Sequence, residues 1–139
     1  MSEVKFNDKF PPIFICSAEE AFQYKADAYF NVAEELEICD RIDAYGYKFG
    51  LRDDDETEDI TRILPEILPL MQKHSSKGDL ICVHCLEGVS RSVAVVVAFI
   101  SFTQNISIQD SYELVKKQHP RSNIFPKYLH ALLALFSKK

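Results

Sequence analysis

No stretch of this chain stays apolar for long, no face of it is visibly basic, and no segment repeats another. The longest uncharged apolar run covers residues 93–100, far short of the roughly 20 residues that a membrane-spanning helix needs. The formal net charge is −5, without a basic stripe or an arginine-rich tail. That argues against nucleic acid and anionic lipid as partners, since both are gripped through clustered Lys and Arg. The first residues resemble neither a secretory leader nor a myristoylation start, and the last three, Ser137-Lys138-Lys139, are no prenylation box. Internal repeats, low-complexity tracts and linkers are lacking too. With 47% apolar and 27% charged residues over 139 positions, the expectation is one globular domain, 1–139, able to build a core without staples.

Metal-ligand pairs are equally scarce. Cys82 and Cys85 form a Cys-x-x-Cys, but no second closely spaced pair accompanies them, and Cys16 and Cys39 stand alone. Residues three apart on a strand also point to opposite faces, so neither a metal nor a cofactor is implied. Four cysteines without a leader suit a reducing compartment, cytoplasm or nucleus. An accessible low-pKa thiolate would still be open to reversible oxidation, with Cys16, Cys39 or Cys82 as conceivable resolving thiols.

What the chain does have is His84-Cys85-Leu86-Glu87-Gly88-Val89-Ser90-Arg91-Ser92. A Cys followed by five residues and an Arg has odds of about one in five of arising somewhere by chance in a chain with this many cysteines. Adding the His before, the Gly three after and the Ser before the Arg lowers those odds to about one in ten thousand. The flanks add meaning. Residues 79–83 read as a short buried strand and residues 92–102 as an apolar helix, too long for an ordinary strand despite its valines. Cys85 therefore falls at the carboxyl end of a strand, where open α/β sheets place their ligands.

The chemistry follows from that junction. Successive backbone N–H groups of Leu86, Glu87, Gly88, Val89, Ser90 and Arg91 can curl into an anion nest, helped by the positive end of the following helix. Gly88 permits a backbone turn that a Cβ would penalise. Arg91 can return to the phosphate oxygens as a planar fork. The same positive field favours the thiolate of Cys85, a nucleophile for phosphorus. The Ser92 hydroxyl is placed to hydrogen-bond the sulfur and help it leave. A proton donor is also required, usually a carboxyl on another loop. The run Asp53-Asp54-Asp55-Glu56-Thr57-Glu58-Asp59 holds six acids in seven residues. Most of these suit a solvated loop before a helix N-terminus; physics alone does not choose among Asp53, Asp54 and Asp55.

The segment from His84 to Ser92 resembles the signature of the cysteine-dependent protein phosphatases, and of their small dual-specificity branch in particular. The likeness extends over nearly the whole chain, through residues 14–21, 30–35 and 106–117. It implies a protein-tyrosine-phosphatase-like α/β fold: a central, mostly parallel, twisted sheet with helices on both faces. It further implies hydrolysis of phosphotyrosine, phosphoserine and phosphothreonine in a phosphorylated protein substrate through a cysteinyl-phosphate. In that family the acid is an Asp six residues before an apolar helix-start residue, which points to Asp54 ahead of Ile60, with Asp53 and Asp55 as alternatives. Asn31 has two readings, a strand-end turn residue or a buttress of the phosphate loop; His84 is expected to be buried and to hold the loop by a hydrogen bond.

Three departures accompany the resemblance. Glu87 stands in the loop where many members carry a small or neutral residue, and it is expected to slow the capture of acidic substrates. Pro126-Lys127 replaces a common Pro-Asn pair. The front half is short, as if surface loops were trimmed. Relatives of this fold also act on phosphoinositides, glucans or RNA 5′-ends, and some only bind phosphate.

The remaining expectations concern architecture. Strands are expected near 12–16, 28–33 and 45–51, and a helix over 60–74 ending at Ser75-Ser76-Lys77-Gly78. Ser107 is expected to cap a helix through Gln118, with Pro120 shortly after it. Leu129, Leu132, Leu133 and Phe136 give the last helix one apolar face toward the core. His74, His119 and His130 are expected at the surface or at helix ends.

Overall fold

A computed structural model describes residues 1–37 and 43–136. Five strands form one sheet in the order β1-β2-β5-β3-β4: β1 (Ser2–Val4), β2 (Ile13–Cys16), β3 (Ala28–Ala33), β4 (Tyr45–Leu51) and β5 (Ile81–His84). All neighbours run parallel except β1 on β2. The edge strand β1 had no sequence signal, because three residues (Ser2, Glu3, Val4) are too few for a pattern to register.

Strand alternation sorts the layers. Ile81 and Val83 of β5, with Ile13, Ile15 and Phe30, face the large core, while Cys82 joins Cys16, Ala21, Ala26 and Tyr29 in a smaller one. The smaller cluster is covered by α1 (Ala18–Gln23), opened by a capping box between Ser17 and Glu20. The larger one is covered by α2 (Leu64–Ser76), α3 (Arg91–Gln104), α4 (Ile108–Gln118) and α5 (Pro126–Phe136). The sheet is thus flanked on both faces, as the sequence led one to expect.

Helix α3 settles a conflict between propensity and burial. Its four valines each disfavour helix by a few tenths of a kcal/mol relative to good formers, yet Val93, Val95, Val96 and Val97 are all fully buried. Burying each is worth about 1.5–3 kcal/mol, so packing wins several-fold. The helix ends at Asn105 in the left-handed region, φ 56°.

Two elements differ from expectation. The helix foreseen over 60–74 is broken into a 3-10 turn, Ile60–Arg62, and α2. Pro65 explains the break: it has no N–H to donate and suits a helix start. On α5 the apolar face consists of Tyr128, Leu129, Leu132 and Phe136, while Leu133 is 43% exposed. Tyr128, fully buried, turns the face away from Leu133.

Candidate active site

The loop from Cys85 to Ser90 joins β5 to α3, and three of its carbonyls are held from outside. Leu86 O accepts from Ala18 N–H at 3.0 Å and Val89 O from Asn123 N–H at 2.9 Å. Gly88 O accepts from His119 Nε2 at 2.6 Å. In a trans peptide the N–H points opposite to the carbonyl. These three anchors therefore turn the amides of Glu87, Val89 and Ser90 toward the centre of the loop. Gly88 has φ +72°, and a Cβ there would lie 3.0 Å from the Cys16 backbone. Glycine is required on both counts. The Ser90 hydroxyl is used structurally, accepting from Phe125 N–H at 2.9 Å.

At the floor of this nest lies Cys85, 3% exposed. Its sulfur is 3.3 Å from Ser92 Oγ and accepts from Gly88 N–H at 3.3 Å. Sulfur, serine hydroxyl and loop amide thus meet as the motif predicted. Above them is a pocket of about 110 Å³ lined by Asp53, Cys85, Leu86, Glu87, Val89, Ser90, Arg91 and Phe125. Glu87 lies exposed on its rim.

Arg91 is buried, and three of its five N–H donors are engaged. Its Nη1 and Nη2 each donate to a Glu35 oxygen at 2.6 Å, and Nη1 also reaches Leu51 O at 2.9 Å. Asp53 Oδ2 stands 3.1 Å from Nε, a close ion pair whose N–H is not aimed squarely enough for a hydrogen bond. Burial works against the charge of Arg91, but the bonds to Glu35 and the fields of Asp53 and Cys85 outweigh it and raise its pKa. Reciprocally, the Arg91 guanidinium holds the Glu35 carboxyl below its ordinary range.

The acid loop is asymmetric. Asp53 points into the phosphate pocket, where Tyr128 Oη donates to its Oδ1 at 3.0 Å. Burial, then the charge of Asp53, pushes the Tyr128 phenol up, which keeps it a donor. Asp54 lines an adjoining cleft that shares Asp53, Leu86 and Arg91 with the pocket. Its side chain is 75% exposed and holds Arg52 through two long contacts of 3.3 Å. Asp55 is turned away, bonding Thr57 through its Oδ1, and lines neither cavity.

Of the two readings of Asn31 its hydrogen bonds match the strand-end turn residue, while His84 departs from expectation. Asn31 sits beside His84 in the sheet register, but its amide organises the 33–37 turn. Nδ2 donates to Leu36 O and Glu37 O, and Oδ1 accepts from Ala33 N–H. It therefore serves the turn that carries Glu35 and makes no hydrogen bond to the phosphate loop. His84 is buried as expected, but neither ring nitrogen has a hydrogen-bond partner among the described residues. Burial lowers its pKa, with the nearby Cys85 backbone opposing. The histidine that does bond the loop is His119, and nothing in its local sequence signalled that. It is buried, whereas His130 is exposed. His74 is buried too, between Tyr47 and Asp79.

Among the cysteines, Cys16 and Cys82 have their sulfurs 3.1 Å apart on the α1 side of the sheet. Cys85 packs with the opposite core. Cys39 lies outside the described residues. Among the described residues no cluster of His, Cys, Asp or Glu could hold a metal, and no helix is long and apolar enough to cross a membrane.

A thiol at the floor of an amide-lined anion nest, closed by the Arg of the same loop, places the molecule in the cysteine-dependent phosphatase superfamily. Comparison with known families narrows that: residues 13–138 match the family described as "Dual specificity phosphatase, catalytic domain", and the chain belongs to it. It is 37% identical over 125 residues to human dual specificity protein phosphatase 9, covering 85% of this chain and 32% of that protein. With human dual specificity protein phosphatase 6 it shares 35% identity over 99 residues, 70% of this chain and 26% of that protein. The chain thus spans about a third or less of the length of these relatives. Among solved structures, human DUSP28 superposes with a TM-score of 0.79 at 20% identity, covering 98% of this chain and 99% of that one. That likeness carries the fold.

Proposed function

We propose that this chain hydrolyses phosphate monoesters on proteins, on tyrosine as well as serine and threonine, through a cysteinyl-phosphate. The single observation that carries the reading is the seating of the Cys85 sulfur in the pocket that Arg91 also lines, in contact with both Gly88 N–H and Ser92 Oγ. In the first step the Cys85 thiolate attacks phosphorus and the ester P–O bond breaks. The non-bridging oxygens are received by the loop amides of residues 86–91 and the Arg91 guanidinium, whose positive groups are already in place when charge develops. A carboxyl gives its proton to the departing oxygen. In the second step the same group, now a carboxylate, takes a proton from water as that water attacks phosphorus. The S–P bond then breaks, aided by a hydrogen bond from Ser92, and inorganic phosphate leaves.

Asp54 is our assignment for the proton donor. Asp53 is paired with Arg91 at 3.1 Å and would meet the incoming dianion at its own anchor, whereas Asp54 lines the cleft opening onto the pocket and is held only by long, solvent-exposed contacts. The lining of the pocket by Asp53 favours a second reading in which Asp53 is the donor. No metal or cofactor enters the cycle. A protein substrate, rather than a phosphoinositide, glucan or RNA end, is supported by the relatives' names and by the carboxylates Glu34, Glu35, Asp53, Asp54 and Glu87 around the two cavities, which repel polyanions. A thiolate nucleophile suits a reducing compartment, and we place the protein in the cytoplasm or nucleus.

The test is hydrolysis with EDTA present by wild type, Cys85→Ser, Asp53→Asn and Asp54→Asn. The substrates are an aryl phosphate, phosphotyrosine and phosphothreonine peptides, a phosphoinositide and a 5′-phosphorylated RNA. Peptide turnover that survives EDTA and vanishes in Cys85→Ser supports the reading. The donor is whichever aspartate, once replaced, costs the profile its basic limb. An inactive wild type, or an active Cys85→Ser, refutes it; preference for a non-protein phosphate refutes the substrate class.

A further inference from the structure

Lys127 opens α5 and makes an unusual set of contacts. Its Nζ donates to three backbone carbonyls of the acid loop: Arg52 O at 3.0 Å, Asp53 O at 2.8 Å and Asp55 O at 2.8 Å. An ammonium has three N–H donors and no acceptor, so the group is fully satisfied by main-chain oxygens. Although carboxylates surround it, Lys127 forms no ion pair among the described residues; its task there is geometric. The neighbouring Tyr128 adds a contact to Arg52 O at 3.2 Å and the bond to Asp53. Just upstream, Asn123 N–H and Phe125 N–H hold Val89 O and Ser90 Oγ of the phosphate loop. One short segment, 123–128, therefore grips the loop carrying the nucleophile and the loop carrying the candidate acids.

We infer that Lys127 is a positioning residue for proton donation: its ammonium tripod fixes the 52–55 backbone so that the donor carboxyl meets the leaving oxygen above Cys85. This rests on the phosphatase reading but not on which aspartate donates, since both hang from carbonyls that Lys127 holds or from their direct neighbour. A compact tetrahedral ammonium suits three converging carbonyls, whereas the planar guanidinium of Arg sends its donors outward in a fixed fork.

The consequence is a defect that depends on the leaving group. Proton donation matters when the departing oxygen is basic, as in an alkyl or phenyl phosphate. It matters little for dinitrophenyl phosphate, whose phenolate leaves unaided. The ratio kcat/KM reports the step in which the S–P bond forms, the P–O bond breaks and the proton passes to the leaving oxygen. Displacing a reacting group by about 1 Å costs up to 100-fold. For Lys127→Met we therefore expect kcat/KM on phenyl phosphate to fall about 30–100-fold, against about threefold or less on dinitrophenyl phosphate. Lys127→Arg, which keeps the charge but not the tripod, is expected to share the defect. Lys127→Gln, with two donors, is expected to fall between wild type and Met, and it carries the test if the Met variant does not fold.

An equal loss on both esters would mean a general structural role and would overturn the inference. So would full activity of Lys127→Arg, which would make charge the operative property. Wild type inactive on both esters sinks the phosphatase reading itself, and the inference with it.

Discussion

Replacing Asp53 by Asn should tighten the hold of the site on inorganic phosphate. The Asp53 carboxylate lies 3.1 Å from Arg91 Nε, while Glu35 takes the opposite edge of the same guanidinium. A phosphate dianion that needs Nε must first displace Asp53, and must then sit near its charge. Arg91 is 4% exposed and Asp53 31% exposed in their side chains. The pair is thus stronger than a fully exposed one, worth about 0–1 kcal/mol, but well short of a sealed one. An effect of about 1–2 kcal/mol is expected, which is about 5–30-fold in Kd. The assay is calorimetric titration of phosphate at neutral pH into Cys85→Ser and into Cys85→Ser with Asp53→Asn, at low and at 0.5 M salt. The gain should shrink with salt, since part of it is like-charge repulsion across a solvent-open mouth. Equal or weaker binding by the double variant would show that Asp53 supports Arg91 instead of competing for it, and the reasoning would fail.

Two further predictions concern stability. His119 is buried with Nε2 on Gly88 O and Nδ1 on the Ser2 hydroxyl. Burial lowers its pKa, the Gly88 carbonyl opposing, as burial also lowers that of His84. Between the ordinary histidine value of about 6.5 and these lower ones, the unfolded chain binds protons that the folded one refuses. Stability should therefore decline as pH falls below about 6.5, and the urea midpoint at pH 5.5 should depend less on acidification in His119→Gln; an unchanged dependence would count against both histidines being held neutral. Asp79→Asn should cost about 1 kcal/mol at pH 7, because the hydrogen bond with His74 holds the Asp79 carboxyl below its ordinary range. That contribution is present above the ordinary carboxylate range and is lost as pH falls through the depressed one, so the melting difference from wild type should vanish in acid.

The phosphate loop was legible because it is local. Strand, thiol, glycine, arginine and helix follow one another without interruption, and each backbone requirement is met within nine residues of sequence. Strands β2 to β5 and the capped start of α4 were legible for the same reason. The partners of that loop were not. Glu35 and His119, like Lys127 and Tyr128 on the acid loop, come from a turn, a helix end and a helix start that folding alone brings together, and none carries a local pattern. Asn31 shows the limit from the other side: its type and position suited both a strand-end turn and a bond to the phosphate loop, and only the fold shows that its hydrogen bonds go to the 33–37 turn. The acid run was visible as a run, yet six carboxylates on one loop differ only in direction, and direction depends on which of them α5 and Arg91 catch.

The grip of residues 123–128 on both loops bears on how the protein fails as well as on how it works. Elements open locally at free energies below that of global unfolding, and α5, with Leu133 and Leu135 facing solvent, is a ready one to lift. Lifting it together with residues 123–125, which lead into it, would release Val89 O, Ser90 Oγ and the carbonyls of Arg52, Asp53 and Asp55, leaving the sheet and α3 intact but the nucleophile and its acid unmatched. Catalysis would then disappear at milder denaturant than the far-ultraviolet signal. The activity of this protein would serve as a gauge of one helix and not of the whole fold.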